Sequence, residues 1–115
     1  MKINRVEKSR IDSVDFENLT FGKIFTDHMF ISEHKNGEWS SGEIKPYENI
    51  SISPSSRALH YGQAIFEGMK CFKSEQDELF LFRPEENFKR FNKSSIRLAI
   101  PEIQEDIFFN GCLLY

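Results

Sequence analysis

Residues 66–73 (FEGMKCFK) and 79–83 (LFLFR) are two short runs rich in apolar residues, the pattern that predicts β-strands. The polar residues 74–77 lie between them, so the two runs are expected to form a hairpin. Pro84 follows directly, and proline suits the first position of a helix. This order of strands before helices decides the fold class. It predicts an α+β arrangement with a mainly antiparallel sheet and flanking helices.

The helix predicted from Pro84 has an apolar and a polar face. Glu85 and Glu86 at its start suit the positive end of the helix dipole. Helical spacing puts Phe88, Phe91, Ser95 and Leu98 on one face, and Asn87, Arg90, Ser94 and Arg97 on a polar face. Pro101 is expected to end this helix and to begin another, whose apolar face holds Ile103, Ile107, Gly111 and Leu114. Because the chain ends at Tyr115 inside this pattern, we interpret it as truncated.

The first part of the chain predicts a second hairpin. Residues 1–18 are polar and are expected to form an extended N-terminal arm, with residues 19–115 forming one small domain. Residues 23–34 alternate apolar with polar and predict a strand. Asn36-Gly37 then predicts a tight turn, since both residues accept positive φ. Residues 38–47 would be the return strand, irregular near residues 40–42, with Pro46 at its end or on an edge.

Composition excludes several classes of function. The 115 residues suit one small domain or a piece of a larger one. Lys plus Arg total 15 against 18 Asp plus Glu, a net charge of −3 that does not attract nucleic acid or an anionic membrane. No apolar run is long enough to cross a bilayer. The two cysteines make neither a metal motif nor a disulfide framework, so a reducing, cytoplasmic setting is expected.

The stretch most capable of chemistry is residues 59–68 (LHYGQAIFEG), which combines an imidazole, a phenol and a carboxylate with two glycines. Glycine allows sharp turns and a close approach to a ligand. A glycine-bounded turn before a strand explains the same residues without any function, and the pattern alone favours that interpretation. Glu67 and Glu43 look like lone acids rather than an acid–base pair.

Other candidate residues carry a weaker signal. Arg90 and Arg97 offer guanidinium groups that can bind phosphate or carboxylate, although two solvated arginines on an outer helix face fit the pattern better. The three histidines have no metal-binding spacing, so no metal site is expected. His28 is expected to be a hydrogen-bonded core residue, and Cys71 a small buried apolar one.

Several motifs resemble one enzyme family. They are LHYGQAIFEGMKCF at 59–72, LFRPEENFKRFNKSSIRLAIPE at 81–102 and FGKIFTDHMF at 21–30. In order and spacing they resemble branched-chain amino acid aminotransferases over about residues 19–109. The resemblance is to the larger subgroup of these enzymes, which carries an extended N-terminal arm. D-amino acid aminotransferases and aminodeoxychorismate lyases share the fold but generally lack this combination of motifs.

The resemblance implies a fold and a set of site residues. It implies the N-terminal domain of a fold type IV aminotransferase, with pyridoxal 5′-phosphate as cofactor. The family's phosphate-binding arginine corresponds to Arg90, and its aromatic substrate-pocket residues correspond to Tyr61 and Phe66. Arg90 is therefore expected to project into a concave opening beside both rings. The lysine that forms the Schiff base is expected beyond Tyr115, so no catalytic residue and no metal ligand is assigned in this chain.

The resemblance also implies a reaction and partners. The parent enzyme would move the amino group of leucine, isoleucine or valine to 2-oxoglutarate as a cytoplasmic homodimer, without nucleic acid or membrane partners. The 115 residues alone are expected to be inactive, because half of the cofactor cleft is missing. Two alternatives stay open: a non-catalytic interaction domain that reuses the fold, and a gene remnant.

Overall fold

A computed structural model describes residues 1–113 of the chain. They form two compact units: residues 1–51 together with the segment from Asp106 onward, and residues 52–105. We call these the first and the second unit. The described residues form an α+β structure in which strand pairing is mainly antiparallel, as predicted. No helix within residues 1–113 is long and apolar enough to cross a membrane.

The first unit contains a three-stranded sheet and a short hairpin. Its strands are β1 Lys2–Ile3, β2 His28–Ile31, β3 His34–Lys35, β4 Glu38–Trp39 and β5 Glu43–Pro46. In the larger sheet β5 lies between β1 and β2, parallel to β1 and antiparallel to β2. Ile44 of this central strand is buried, which makes β5 the centre of the first unit's small core.

The hairpin at Asn36-Gly37 is confirmed. Both residues have positive φ, 55° and 86°, and they connect β3 to its antiparallel partner β4. Residues 40–42 are irregular, and Pro46 is the last residue of β5, both as predicted. The predicted strand 23–34 was too long, because β2 begins only at His28. The residues before it include a turn in which Lys23 N–H donates to the Thr20 carbonyl.

The N-terminal arm is more ordered than a plain extended segment. Short 3-10 turns occupy Ile11–Ser13 and Phe16–Asn18, and β1 adds an edge to the sheet. Asp27 anchors the arm, since its carboxylate accepts hydrogen bonds from Ser9 Oγ at 2.6 Å and Arg10 Nε at 3.0 Å. These bonds, led by that from Ser9, lower the pKa of Asp27.

His28 provides a second anchor for the arm. The Val6 backbone N–H donates to His28 Nε2 at 3.0 Å, which confirms the predicted hydrogen bonding of His28. His28 is half-buried, so its predicted place in the core was wrong. The boundary of the arm at residue 18 remains a prediction.

The second unit contains a hairpin and two helices. Strands β6 Cys71–Lys73 and β7 Leu79–Leu81 pair antiparallel, and helices α1 Arg57–Tyr61 and α2 Pro84–Arg97 lie on either side of them in sequence. The predicted hairpin is confirmed, although both strands are shorter than expected. Cys71 is exposed, so its predicted burial was wrong. All three residues of β6 are exposed, and the two-stranded ribbon therefore gives Cys71 no covered face.

Helix α1 was not predicted. Its five residues are too few to show a helical period, and the stretch had been interpreted as a turn. Gly62 ends the helix in the left-handed conformation, with φ of 60°, and its N–H donates to the Arg57 carbonyl. This is a common way for a helix to end, because glycine has no Cβ to clash.

Helix α2 begins at Pro84 as predicted, and its apolar face is mostly confirmed. Ser95 is fully buried and its hydroxyl donates to the Phe91 carbonyl at 3.1 Å, while Phe88 and Phe91 are half-buried. The helix ends at Arg97, so the prediction that Pro101 ends it was wrong. Leu98 is the C-cap residue of the helix, and Ala99 after it has a positive φ of 52°.

The last helix, α3 Glu105–Leu113, begins later than predicted. Residues 101–104 are irregular because Ile103 forms two hydrogen bonds with Asn92 of α2 instead of helical ones. Ile107 is buried and Gly111 lies against Phe30, which confirms these two members of the predicted apolar face. Leu114, the last predicted member, and Tyr115 lie outside the described residues.

Candidate functional site

Arg90 lies in the second turn of α2 and forms a bidentate salt bridge with Glu67. Its Nε donates to Glu67 Oε2 at 2.8 Å, and its Nη2 donates to Glu67 Oε1. The Glu67 side chain is 10% exposed, whereas that of Arg90 is 63% exposed. The carboxylate is thus largely buried, whereas the guanidinium is accessible to a ligand.

Asn87 completes this arrangement from one helical turn earlier. Its Nδ2 donates to Glu67 Oε1 at 3.1 Å and to the Gly68 carbonyl at 3.0 Å. The Gly68 N–H also donates to Glu67 Oε1, at 3.0 Å. Because residues three apart share a helix face, Asn87 and Arg90 both face the segment 67–68. The segment is thereby tied to α2 through polar contacts.

These contacts stabilise the charged form of Glu67. The hydrogen bonds from Arg90 lower the pKa of Glu67 to about 2, and Asn87 contributes, against the opposing effect of burial. The same pair raises the pKa of Arg90. Glu67 is therefore a carboxylate and not a proton donor near neutral pH.

The ion pair leaves part of the guanidinium for other partners. Arginine has five N–H donors in a planar fork. Glu67 takes Nε–H and one hydrogen of Nη2, on one edge of the plane. The Nη1 amino group lies outside this pair. An oxyanion approaching that second edge could still accept two parallel hydrogen bonds.

Arg90 also lines a hollow of about 380 Å³. Lys70 and Arg83 bring two more positive charges to it, and Glu86 brings a negative one. Phe72 and Phe82 supply apolar surface, and Gly68 supplies exposed backbone. The hollow can receive a small anionic group that also has an apolar part.

The two aromatic residues predicted for the substrate pocket lie elsewhere in the second unit. Tyr61 is the last residue of α1, is 83% exposed, and lines a separate hollow with Gln63 and Leu98. Phe66 is 93% exposed. Neither ring lines the hollow beside Arg90. The expected grouping of Arg90 with both rings around one opening is therefore not formed by these residues.

The pairing of Glu67 with Arg90 was not predicted, because the sequence pattern indicated a lone acid. Glu67 and its partner are 23 positions apart, on a loop and a helix. No local pattern joins such positions. The available signals were the placement of Glu67 within the glycine-containing stretch and of Asn87 on the polar face with Arg90.

Comparison with curated proteins gives consistent matches. The chain is 43% identical over 102 residues to a branched-chain-amino-acid aminotransferase of Helicobacter pylori (strain J99 / ATCC 700824), covering 89% of this chain and 30% of that protein. It is 44% identical over 98 residues to branched-chain-amino-acid aminotransferase 2 of Bacillus subtilis (strain 168), covering 84% and 27%. The chain is homologous to part of the branched-chain amino acid aminotransferases.

The resemblance seen in the motifs is therefore confirmed. This aminotransferase homologue also matches a probable branched-chain-amino-acid aminotransferase of Staphylococcus epidermidis (strain ATCC 12228 / FDA PCI 1200), with 45% identity over 98 residues. It spans less than a third of the length of the three relatives, 27–30%. No protein-family model matches it. The roles assigned to Arg90, Tyr61 and Phe66 remain predictions.

Proposed function

We propose that this chain forms the N-terminal part of a pyridoxal-phosphate-dependent aminotransferase of fold type IV. The complete enzyme transfers the amino group of leucine, isoleucine or valine to 2-oxoglutarate. The observation that carries the proposal is the identity of 43–44% to two proteins named as branched-chain aminotransferases, over 84–89% of this chain. The geometry around Arg90 supports the part of the proposal that concerns the cofactor.

Arg90 suits the phosphate group of the cofactor. Its guanidinium is accessible to solvent. Glu67 binds the edge formed by Nε and Nη2, so the edge that includes Nη1 can bind an oxyanion. Lys70 and Arg83 in the same hollow add positive charge, which favours a phosphate dianion. The covered carboxylate is already neutralised by Arg90, so it opposes an anion less than a lone acid would.

Tyr61 and Phe66 suit the apolar part of the substrate. Both rings are exposed, so they can contribute a wall to a pocket that is completed by other parts of the protein. An apolar wall accepts leucine, isoleucine and valine alike, since one methylene changes binding by only about 1–3 kcal/mol. The proposal therefore covers the three branched side chains as one class.

The chain's own contribution is binding and orientation. When bound, pyridoxal phosphate supplies the electron sink for amino transfer. Arg90 would hold its phosphate, and the two rings would exclude water from the side chain of the substrate. No lysine of this chain is assigned to proton transfer, which belongs to a residue beyond Tyr115 in this proposal. The complete enzyme is proposed to be a homodimer, in which some of the many exposed apolar side chains of this chain would be covered.

The test uses the protein in its complete reading frame. We expect amino transfer from leucine to 2-oxoglutarate, and we expect Arg90→Ala to weaken pyridoxal phosphate binding about 10- to 100-fold, as for loss of a charge-assisted hydrogen bond. Arg97→Ala is the matched control, since Arg97 is an exposed arginine at the end of the same helix. It should bind the cofactor normally.

Two outcomes would overturn the proposal. One is a complete protein that transfers no amino group from any branched-chain amino acid, which would favour a non-catalytic interaction domain. The other is equal cofactor affinity of wild type and Arg90→Ala, which would remove the phosphate role of Arg90. As a separate check, residues 1–115 alone should show no visible absorbance from bound pyridoxal phosphate.

A further inference from the structure

We infer that Glu67 is a positioning residue: it holds the Arg90 guanidinium in the orientation that receives a phosphate group, and Asn87 holds Glu67. This inference rests on the proposed function, because it concerns the same arginine. It adds a residue to which no role had been given, and it predicts that removing a negative charge beside an anion site weakens anion binding.

The first support is the contrast in exposure within the pair. A 63% exposed arginine on a helix surface would normally sample many rotamers and would lose that freedom on binding a ligand. The two hydrogen bonds from Nε and Nη2 to Glu67 remove much of that freedom beforehand. Preorganisation of this kind raises affinity without any new contact to the ligand.

The second support is that Glu67 is itself held in place. It accepts from Asn87 Nδ2 at 3.1 Å and from the Gly68 N–H at 3.0 Å, in addition to Arg90. Its carboxylate plane is therefore set by three residues. A guanidinium that forms a bidentate salt bridge with a fixed carboxylate must lie close to the plane of that carboxylate. The direction of its remaining Nη1 edge follows from the position of Glu67.

The negative charge of Glu67 also has an electrostatic effect of the opposite sign. A carboxylate near an anion site repels the anion, so loss of Glu67 by charge alone would tighten phosphate binding. Here the carboxylate is paired with Arg90, and Lys70 and Arg83 keep the hollow positive against Glu86. Orientation should therefore outweigh repulsion. A positioning role of Glu67 predicts that removing its charge weakens phosphate binding, whereas repulsion alone predicts that it tightens phosphate binding.

That variant is Glu67→Gln, which keeps the shape of the side chain and removes its charge. In the apo form of the complete protein we measure the dissociation constants of pyridoxal and of pyridoxal 5′-phosphate. The ratio of the pyridoxal value to the pyridoxal 5′-phosphate value gives the contribution of the phosphate to affinity. We expect the ratio to fall about tenfold, a coupling of roughly 1.4 kcal/mol, as residues in one polar network typically show. Glu75→Gln removes the same charge from the exposed β6–β7 turn and should leave the ratio unchanged.

A second readout does not depend on the cofactor. In ¹⁵N spectra the Arg90 Nε–H signal, assigned with Arg90→Lys, should exchange slowly with solvent in the wild type. It should exchange much faster in Glu67→Gln. If Glu67→Gln does not fold, as judged by circular dichroism, Asn87→Ala replaces it. That variant keeps both charges and removes the hydrogen bonds of Asn87 to the Glu67 carboxylate and to the Gly68 carbonyl. It should lower the same ratio.

The outcomes separate this inference from the proposed function. An unchanged or increased ratio in a folded Glu67→Gln or Asn87→Ala protein overturns the positioning role of Glu67. If Arg90→Ala lowers the ratio while Glu67→Gln does not, the proposed function stands and only this inference fails. If Arg90→Ala also has no effect, the phosphate role of Arg90 fails first.

Discussion

Gly111 of α3 lies directly against the ring of Phe30 in β2. A Cβ atom placed on Gly111 would lie 2.7 Å from Phe30 Cδ1, closer than carbon atoms can pack. Gly42 lies against the same ring and has a positive φ of 79°. The ring of Phe30 therefore occupies space that is available only because two residues distant in sequence have no side chain.

Gly111→Ala should destabilise the first unit. Overpacking typically costs about 1–3 kcal/mol, and the better helix propensity of alanine returns up to about 1 kcal/mol. We expect a net loss of about 1 kcal/mol in urea unfolding followed by the fluorescence of Trp39, the single tryptophan. Gly68→Ala is the control, because a Cβ there meets nothing within 4 Å. Equal or higher stability of Gly111→Ala would contradict the close contact.

Asn92 should be important for the stability of the second unit. Its Nδ2 donates to the Ile103 carbonyl and its Oδ1 accepts from the Ile103 N–H, both at 2.9 Å in a partly buried setting. Asn92→Ala leaves both backbone groups without this partner, which typically costs about 1–3 kcal/mol. Thermal unfolding followed by circular dichroism measures the loss. Lys93→Ala, at an exposed position of the same helix, should change stability by less than about 0.5 kcal/mol.

The Glu67–Arg90 pair should make stability depend on pH in acid. The pKa of Glu67 in the folded chain is lowered to about 2 from the ordinary value of 4.5, so the pair stabilises the fold fully above pH 4.5. This contribution is lost as the pH falls from 4.5 to 2. Because Arg90 is exposed, we expect about 1 kcal/mol, the upper end for solvent-accessible pairs.

The measurement compares wild type with Glu67→Gln across that range. The difference in unfolding free energy should be constant near neutral pH and should shrink below pH 4.5. Titration of the Glu67 carboxyl carbon by NMR gives the pKa directly. A midpoint near 4.5 would mean that the ion pair does not form in solution.

Phe66→Ala should separate binding from stability. The ring is 93% exposed, so its removal should change the unfolding free energy by less than about 0.5 kcal/mol. In the complete protein the same change should raise the KM for leucine, because the apolar wall is lost. Phe80→Ala, which removes another exposed ring of the second unit that does not line the hollow beside Arg90, provides the comparison. A stability loss as large as for a core phenylalanine would show that Phe66 is packed instead.

Local chemistry predicted the elements that depend on one or two residues. Asn36-Gly37 set a turn and Pro84 set a helix start, because their backbone preferences hold wherever they occur. Pro101 misled in the same way, since a proline marks where a helix can begin and not where it must. The hydrogen bonds between Asn92 and Ile103 keep residues 101–104 out of the next helix, and they join residues 11 positions apart.

The candidate site was predicted less completely. Motif resemblance selected Arg90, and the structure surrounds it with polar partners, but nothing local indicated that Glu67 would pair with it. Within residues 1–113 the structure shows no such polar partners for Tyr61 and Phe66, and their exposure could not be read from a short aromatic pattern. Burial depends on neighbours that arrive from other parts of a fold, which is also why the burial of Cys71 was wrong.

The parallel pairing of β1 with β5 has a practical consequence for anyone who shortens this protein. β1 pairs with one side of the central strand, and Asn4, the residue after β1, donates its backbone N–H to the Ile44 carbonyl at 2.8 Å. Deleting residues 1–18 would turn β5 into an edge with unsatisfied amides, a template to which strands of other molecules can add. We expect the shortened protein to be aggregation-prone, even though the deletion removes mostly polar residues.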